Sequence, residues 1–152
     1  MDIDYIVKNY LQNYNLLVEQ LAYLFTDDEY KTYLLELNNE PKDKKWNRGS
    51  NFNTLLTDNM FELFIESKMK MFSHKDDESK KLSESLFGEK LSLKKIFNNR
   101  DDSIKFMLWS YLHVLVLMNE MSQKKKNKER IKRLTLLHCI RIKVNGHLLK
   151  FS

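Results

Sequence analysis

The sequence predicts an all-α fold, a single-domain bundle of about five to six helices around one hydrophobic central helix near 103–123. Three observations carry this expectation. Only three Gly and one Pro occur in 152 residues, and because those residues ordinarily punctuate sheets and turns, their scarcity favours long helices. Apolar residues recur at intervals of three and four through much of the chain, the period of a helix with one buried stripe. Hydrophobic residues make up 42% and aromatics 12%, enough for a core and far from disordered compositions. A chain of this length fits one domain, 1–152, and neither an internal repeat nor a flexible linker divides it.

The elements follow in order. From Ile3 to Phe25 the stripe Ile6, Tyr10, Tyr14, Leu17, Leu21 and Leu24 marks a first helix, with Asp2 or Asp4 as its cap. Thr26-Asp27-Asp28-Glu29 has the form of a capping box, so a second helix carrying Tyr30, Tyr33, Leu34 and Leu37 starts at once and forms a hairpin with the first. Residues 38–51 hold the lone Pro41, the charged run Lys42 to Lys45 and, of larger apolar residues, only Trp46; they read as the main loop. A third helix is expected from Asp58 to Phe72, with Phe61, Phe64, Ile65 and Phe72 inward and Met60, Met69 and Met71 filling gaps. A shorter one covers Asp76 to Phe87, ended by Gly88 in a left-handed conformation, and Ser92 caps a brief helix through Leu93, Ile96 and Phe97.

Asp101-Asp102 then opens the most hydrophobic helix, Ser103 to Gln123, whose apolar residues lie on nearly every side, as expected of a central element. The basic segment 124–133 follows, with seven Lys or Arg and one acid in ten residues. In 140–151, Ile140, Ile142 and Val144 alternate up to Asn145-Gly146, and Leu149 and Phe151 alternate after it. That pattern signals a short β-hairpin, although Leu134 to Cys139 equally extends a helix.

Most function classes lose support on the same grounds. The single Cys139 forms no internal disulfide, and the opening MDIDYIVKNY lacks the basic and apolar regions of a signal peptide, so an intracellular setting is expected. The longest apolar run, Phe106 to Met118, has 13 residues, short of the roughly 20 that cross a bilayer. His74, His113, His138, His147 and Cys139 show no paired metal-ligand spacing. His113 reads as a core histidine and Cys139 as a small buried residue. The acidic groups at 27–29, 76–78 and 101–102 each sit at a helix start, where carboxylates cap. Trp46-Asn47-Arg48-Gly49-Ser50 lacks the glycines and Lys-Ser/Thr of a phosphate loop. No catalytic residue, metal ligand or cofactor is therefore assigned.

Two sets of residues remain as candidates. Lys124, Lys125, Lys126, Lys128, Arg130, Lys132 and Arg133 carry enough charge for several phosphates, though without interleaved aromatics for base stacking; their other reading is a solvated helix end. Trp46 either tucks onto the core or anchors a partner, and Met69 and Met71 are the other candidates for a partner-binding patch.

The segments Met60-Phe61-Glu62-Leu63-Phe64-Ile65 through Phe72-Ser73-His74-Lys75, Leu82 through Leu86-Phe87-Gly88, and Lys105-Phe106-Met107-Leu108-Trp109-Ser110-Tyr111-Leu112-His113 resemble a pattern in small helical proteins of nucleocytoplasmic large DNA viruses. The resemblance covers roughly a third of the chain and consists of packing residues, so it implies a helical fold and carries over no catalytic residue. Trp46-Asn47-Arg48-Gly49 loosely resembles a motif of viral Bcl-2-like proteins, with its order changed. The expectation is a non-enzymatic adaptor or structural protein of a large DNA virus, inside the host cell or in the virion, that binds a viral or host protein. The alternative is a nucleic-acid-associated protein using segment 124–133; a Bcl-2-like host-modulating role is a minor one.

Overall fold

In the computed structural model, residues 2–145 are described, and among them eight α-helices and two 3-10 turns occur without a strand. The architecture is all-α, with more and shorter helices than the sequence pattern predicts.

α1 (Ile3–Leu24) begins where Asp2 accepts a hydrogen bond from the Asp4 N–H at 3.0 Å, and it buries the predicted stripe of Ile6, Tyr10, Tyr14, Leu17 and Leu21. α2 (Asp28–Asn38) folds back against α1. Its cap is Asp27, which accepts from the Glu29 N–H at 2.8 Å, one residue beyond the Thr26 of the expected box. An ionised carboxylate accepts more strongly than a hydroxyl and also meets the positive end of the helix dipole.

The expected loop over 38–51 is mostly helix: α3 spans Lys42–Leu55. Pro41 stands at its N-terminus with φ −57°, already in the helical range, where a missing N–H costs nothing. The inward positions of α3 are Lys45, Gly49, Phe52 and Asn53, so its buried stripe has helical spacing but little apolar character. A Cβ on Gly49 would collide with the Tyr10 ring, so glycine here lets α3 approach α1 closely. Lys45 is buried because its ammonium donates to Asn15 Oδ1 at 2.8 Å and to the Asn38 carbonyl at 2.7 Å, while Tyr10 Oη donates to the Lys45 carbonyl at 2.8 Å.

The helix expected over 58–72 breaks. α4 covers Asp58–Ile65, Ser67 turns left-handed at φ 56°, and the Lys68 N–H donates to the Leu63 carbonyl at 2.9 Å, closing the helix end. The 3-10 turn Met69–Phe72 then redirects Met71 and Phe72 into the core. α5 (Asp77–Ser85) is capped by Asp76, and the 3-10 turn Glu89–Leu91 follows Gly88, whose φ of 91° is paired with an extended ψ of 172° rather than a left-handed helical one. α6 (Leu93–Phe97) is capped by Ser92 and α7 (Asp102–Ser122) by Asp101.

α8 runs Lys128–Asn145. Residues 140–145 are therefore its last turns and not the first strand of a hairpin; residues 146–151 of that expectation lie outside the described residues. The strand-like alternation misled because the buried positions Leu134, His138 and Arg141 have helical spacing while two of the three are polar.

α2 packs on α1, α1 on α7 and α7 on α8, forming a row, while α3 crosses α1 and α7 and carries α5. Every residue of α7 from Leu108 to Glu120 is buried. Beside it Trp109 stacks on Phe72 at 5.5 Å between ring centres and meets Phe97 at 5.0 Å, so the broken segment 66–72 completes the aromatic core.

Candidate functional site

The basic segment separates into two structural roles. Arg130 lies half-buried with its guanidinium over the Phe61 ring at 4.7 Å, donating to the Leu56 carbonyl at 2.8 Å and to Asp58 at 3.0 Å. Arg133 pairs with both carboxylate oxygens of Glu62 and also lies over Phe61, at 5.5 Å. These two arginines clamp α8 to α4. Lys124, Lys125 and Lys126 lie exposed in the link between α7 and α8, and Lys128 and Lys132 lie exposed one turn apart on α8. Thus the five lysines are presented to solvent while the arginines serve the fold.

That link is held by a buried polar network. Glu120 accepts from the Asn127 N–H at 3.0 Å and from Asn53 Nδ2 at 2.9 Å; Asn119 donates to Ser50 Oγ at 2.7 Å; Asn127 Oδ1 accepts from the Arg130 N–H at 3.1 Å, capping α8. The network ties α3, the end of α7 and the start of α8 together, since Asn53 Nδ2 donates to both Asn119 Oδ1 and Glu120. Sequence reasoning missed Asn53, Asn119 and Glu120. Their signal was the adjacent Asn119-Glu120 closing a long apolar run.

The other candidates fare differently. Trp46 is half-buried and meets Tyr10 edge to face at 4.8 Å, so it tucks onto the core. Met69 packs half-buried on the core, and Met71 is fully buried, which removes it as a partner contact. Trp46-Asn47-Arg48-Gly49 lies within α3, where Arg48 pairs with Glu40 at 2.8 and 3.0 Å. Cys139 is exposed rather than buried because it falls off the inward line of α8 set by Leu134, His138 and Arg141.

His113 is buried, as expected, with Nε2 2.6 Å from the Phe64 carbonyl, a geometry in which Nε2–H donates. Burial, reinforced by the nearby Arg141 charge, pushes its pKa down to about 3, so it stays neutral at physiological pH. Among the described residues no group of three or more His, Cys, Asp or Glu is placed to hold a metal ion, and no helix is long and apolar enough to cross a membrane.

The surface also carries apolar side chains that sequence reasoning did not single out. On α8, Leu136 is 60% and Ile140 51% exposed, one turn apart. Toward the other end of the row, Tyr23 of α1 is 83% and Leu35 of α2 63% exposed, beside a groove lined by Val18, Glu19, Ala22, Lys31 and Leu34. The available signal was that α8 bears apolar residues on both of its faces. No family model, curated protein or solved structure matches the chain, so the candidate surfaces are defined by geometry and chemistry alone.

Proposed function

We propose that the protein is a non-enzymatic helical interaction protein, an adaptor or structural component that acts by binding another protein. The observation that carries this reading is the pair of exposed apolar patches, Leu136 with Ile140 on α8 and Tyr23 with Leu35 on α1 and α2, toward the two ends of the helix row. Apolar area left in water is recovered as binding free energy when a complementary surface covers it. The resemblance to helical proteins of large DNA viruses supports a viral setting, within the host cell or the virion. A photo-crosslinking residue introduced at position 136 or 23 in expressing cells is expected to give protein adducts. A control at the exposed polar Lys80 is expected to give none, and equal yields at all three positions would refute the reading.

A second reading is favoured by the exposed Lys124, Lys125, Lys126, Lys128 and Lys132, which present charge for phosphates. Binding of labelled DNA or RNA should then weaken with salt, with a log–log slope no steeper than about −4.5 on duplex DNA for five lysines. Loss of binding in the triple variant Lys124→Glu/Lys125→Glu/Lys126→Glu would support it, and affinity independent of salt would refute it.

A further inference from the structure

Resting on the interaction reading above, we infer that the protein self-associates head to tail, the outer ridge of α8 on one copy seating in the α1–α2 groove of the next.

The ridge is Leu136 and Ile140, both exposed and separated by four residues, about 6 Å along the helix axis. Lys132 stands one turn before them and Lys143 one turn after, both exposed on the same line of the helix. Isolated exposed apolar residues are ordinary. Here two of them stand in one-turn register, bracketed by cations.

The groove matches in length. Its floor is Val18 and Leu34, both buried, with Ala22 one turn beyond Val18, and the exposed Tyr23 and Leu35 also line it. On each helix the lining advances by one turn, from Val18 to Ala22 and from Lys31 to Leu35, so it accepts a ridge two side chains long. The surrounding charge is complementary. Glu19 and Lys31 face each other across the lining, and the exposed Asp27 and Asp28 at the start of α2 add negative charge, offset in part by Arg100, whose guanidinium reaches the Leu24 carbonyl at the end of α1. Seating the ridge there brings Lys132 and Lys143 toward carboxylates. An α8-to-α8 contact would instead bring Lys128, Lys132 and Lys143 of two copies together, with Glu129 as the one exposed carboxylate among the described residues of α8.

Position supplies the remaining argument. α2 and α8 are the two ends of the row α2, α1, α7, α8 and do not pack on one another, so a ridge seated in a groove joins two copies. A contact between two different patches leaves one of each free at the ends of a pair, so growth continues until a ring closes or a filament forms.

Sedimentation velocity on the full chain across about 1 to 500 μM, the range of weak contacts between small surfaces, is expected to show average mass rising with concentration past the dimer. It should fall back toward monomer at high salt. Leu136→Glu/Ile140→Glu blocks the ridge and Glu19→Lys/Leu35→Lys blocks the groove; all four sites are exposed, so unchanged circular dichroism is expected. Each variant alone should stay monomeric, and a one-to-one mixture should form dimers and nothing larger, since each contributes one intact surface. A wild-type chain that is monomeric throughout overturns the inference, as does association that survives the groove variant. If the monomeric chain still gives protein crosslinks from position 136 in cells, the interaction reading stands and only self-association falls.

Discussion

α7 and α8 are neighbours of comparable length, 21 and 18 residues, and both carry apolar side chains around much of their circumference. Their fates differ. α7 is surrounded by α1, α3 and α8, and its residues from Leu108 to Glu120 are all buried. α8 packs along α7, is clamped to α4 through Arg130 and Arg133, and leaves Leu136, Ile140 and Ile142 in solvent. The comparison teaches that apolar content makes a helix eligible for burial, whereas the number of neighbours decides it. A helix with more apolar faces than neighbours keeps one of those faces in solvent.

The sharpest way to break this comparison is to truncate a leucine in each helix. Leu112→Ala in α7 should cost about 2 to 5 kcal/mol through lost transfer energy and the cavity left behind, whereas Leu136→Ala should change stability by less than about 0.5 kcal/mol. Urea unfolding of both variants measures the difference, and equal losses would mean that α8 is covered within the monomer.

The joint between the helices comes next. Asn53→Ala removes one of the donors that hold the buried Glu120 carboxylate, and an underbonded buried acceptor costs about 1 to 3 kcal/mol. Hydrogen exchange should quicken at the amide of Asn127 and in the first turn of α8 before the rest of the molecule responds.

A smaller effect separates the helices by pH. His113 of α7 is held neutral in the fold with its pKa near 3, below an unfolded value of 6.5, so the unfolded chain binds the proton first as pH falls. Its contribution to stability is complete well above pH 6.5 and shrinks on descending toward pH 3, with roughly 1 kcal/mol lost by pH 5.5. His138 of α8 shifts in the same direction through burial and the nearby Arg141. Thermal unfolding of His113→Leu between pH 7.5 and 5.5 should show a shallower pH slope than the parent, and an unchanged slope would assign the effect elsewhere.

The least effect is expected at Arg141. Its guanidinium is buried over the Phe106 ring at 5.4 Å, and desolvation lowers its pKa to about 10. Replacing it with Met keeps the stem's packing and relieves that desolvation, so stability should stay within about 1 kcal/mol of the parent or rise. A larger loss in denaturant titration would show that the charge itself holds α8 in place.

Much of this architecture was legible residue by residue. The stripe of α1, the caps Asp76, Ser92 and Asp101, and the apolar run of α7 report local chemistry that tertiary context did not override. α3 was illegible because, apart from Phe52, its inward positions are Lys45, Gly49 and Asn53, which look like loop residues until Tyr10, Asn15 and Asn119 are seen to complete them. The end of α8 was misread for the same reason, since His138 and Arg141 occupy positions where an apolar residue would have announced a helix. The candidate surfaces were harder still. The basic run was visible as composition, but the division between clamping arginines and exposed lysines depends on Asp58, Glu62 and Phe61, more than sixty residues earlier in the chain.

By itself, then, the sequence determined the all-α class, the central place of α7 and the positions of most caps, because helix period, glycine scarcity and carboxylates at helix starts act within a few residues. Tertiary structure alone decided that 42–55 would be helix, that Met71 would be buried and Cys139 exposed, and that α8 would keep a free apolar ridge. Those outcomes depend on which distant surfaces meet, and burial is shared between surfaces rather than carried by either one.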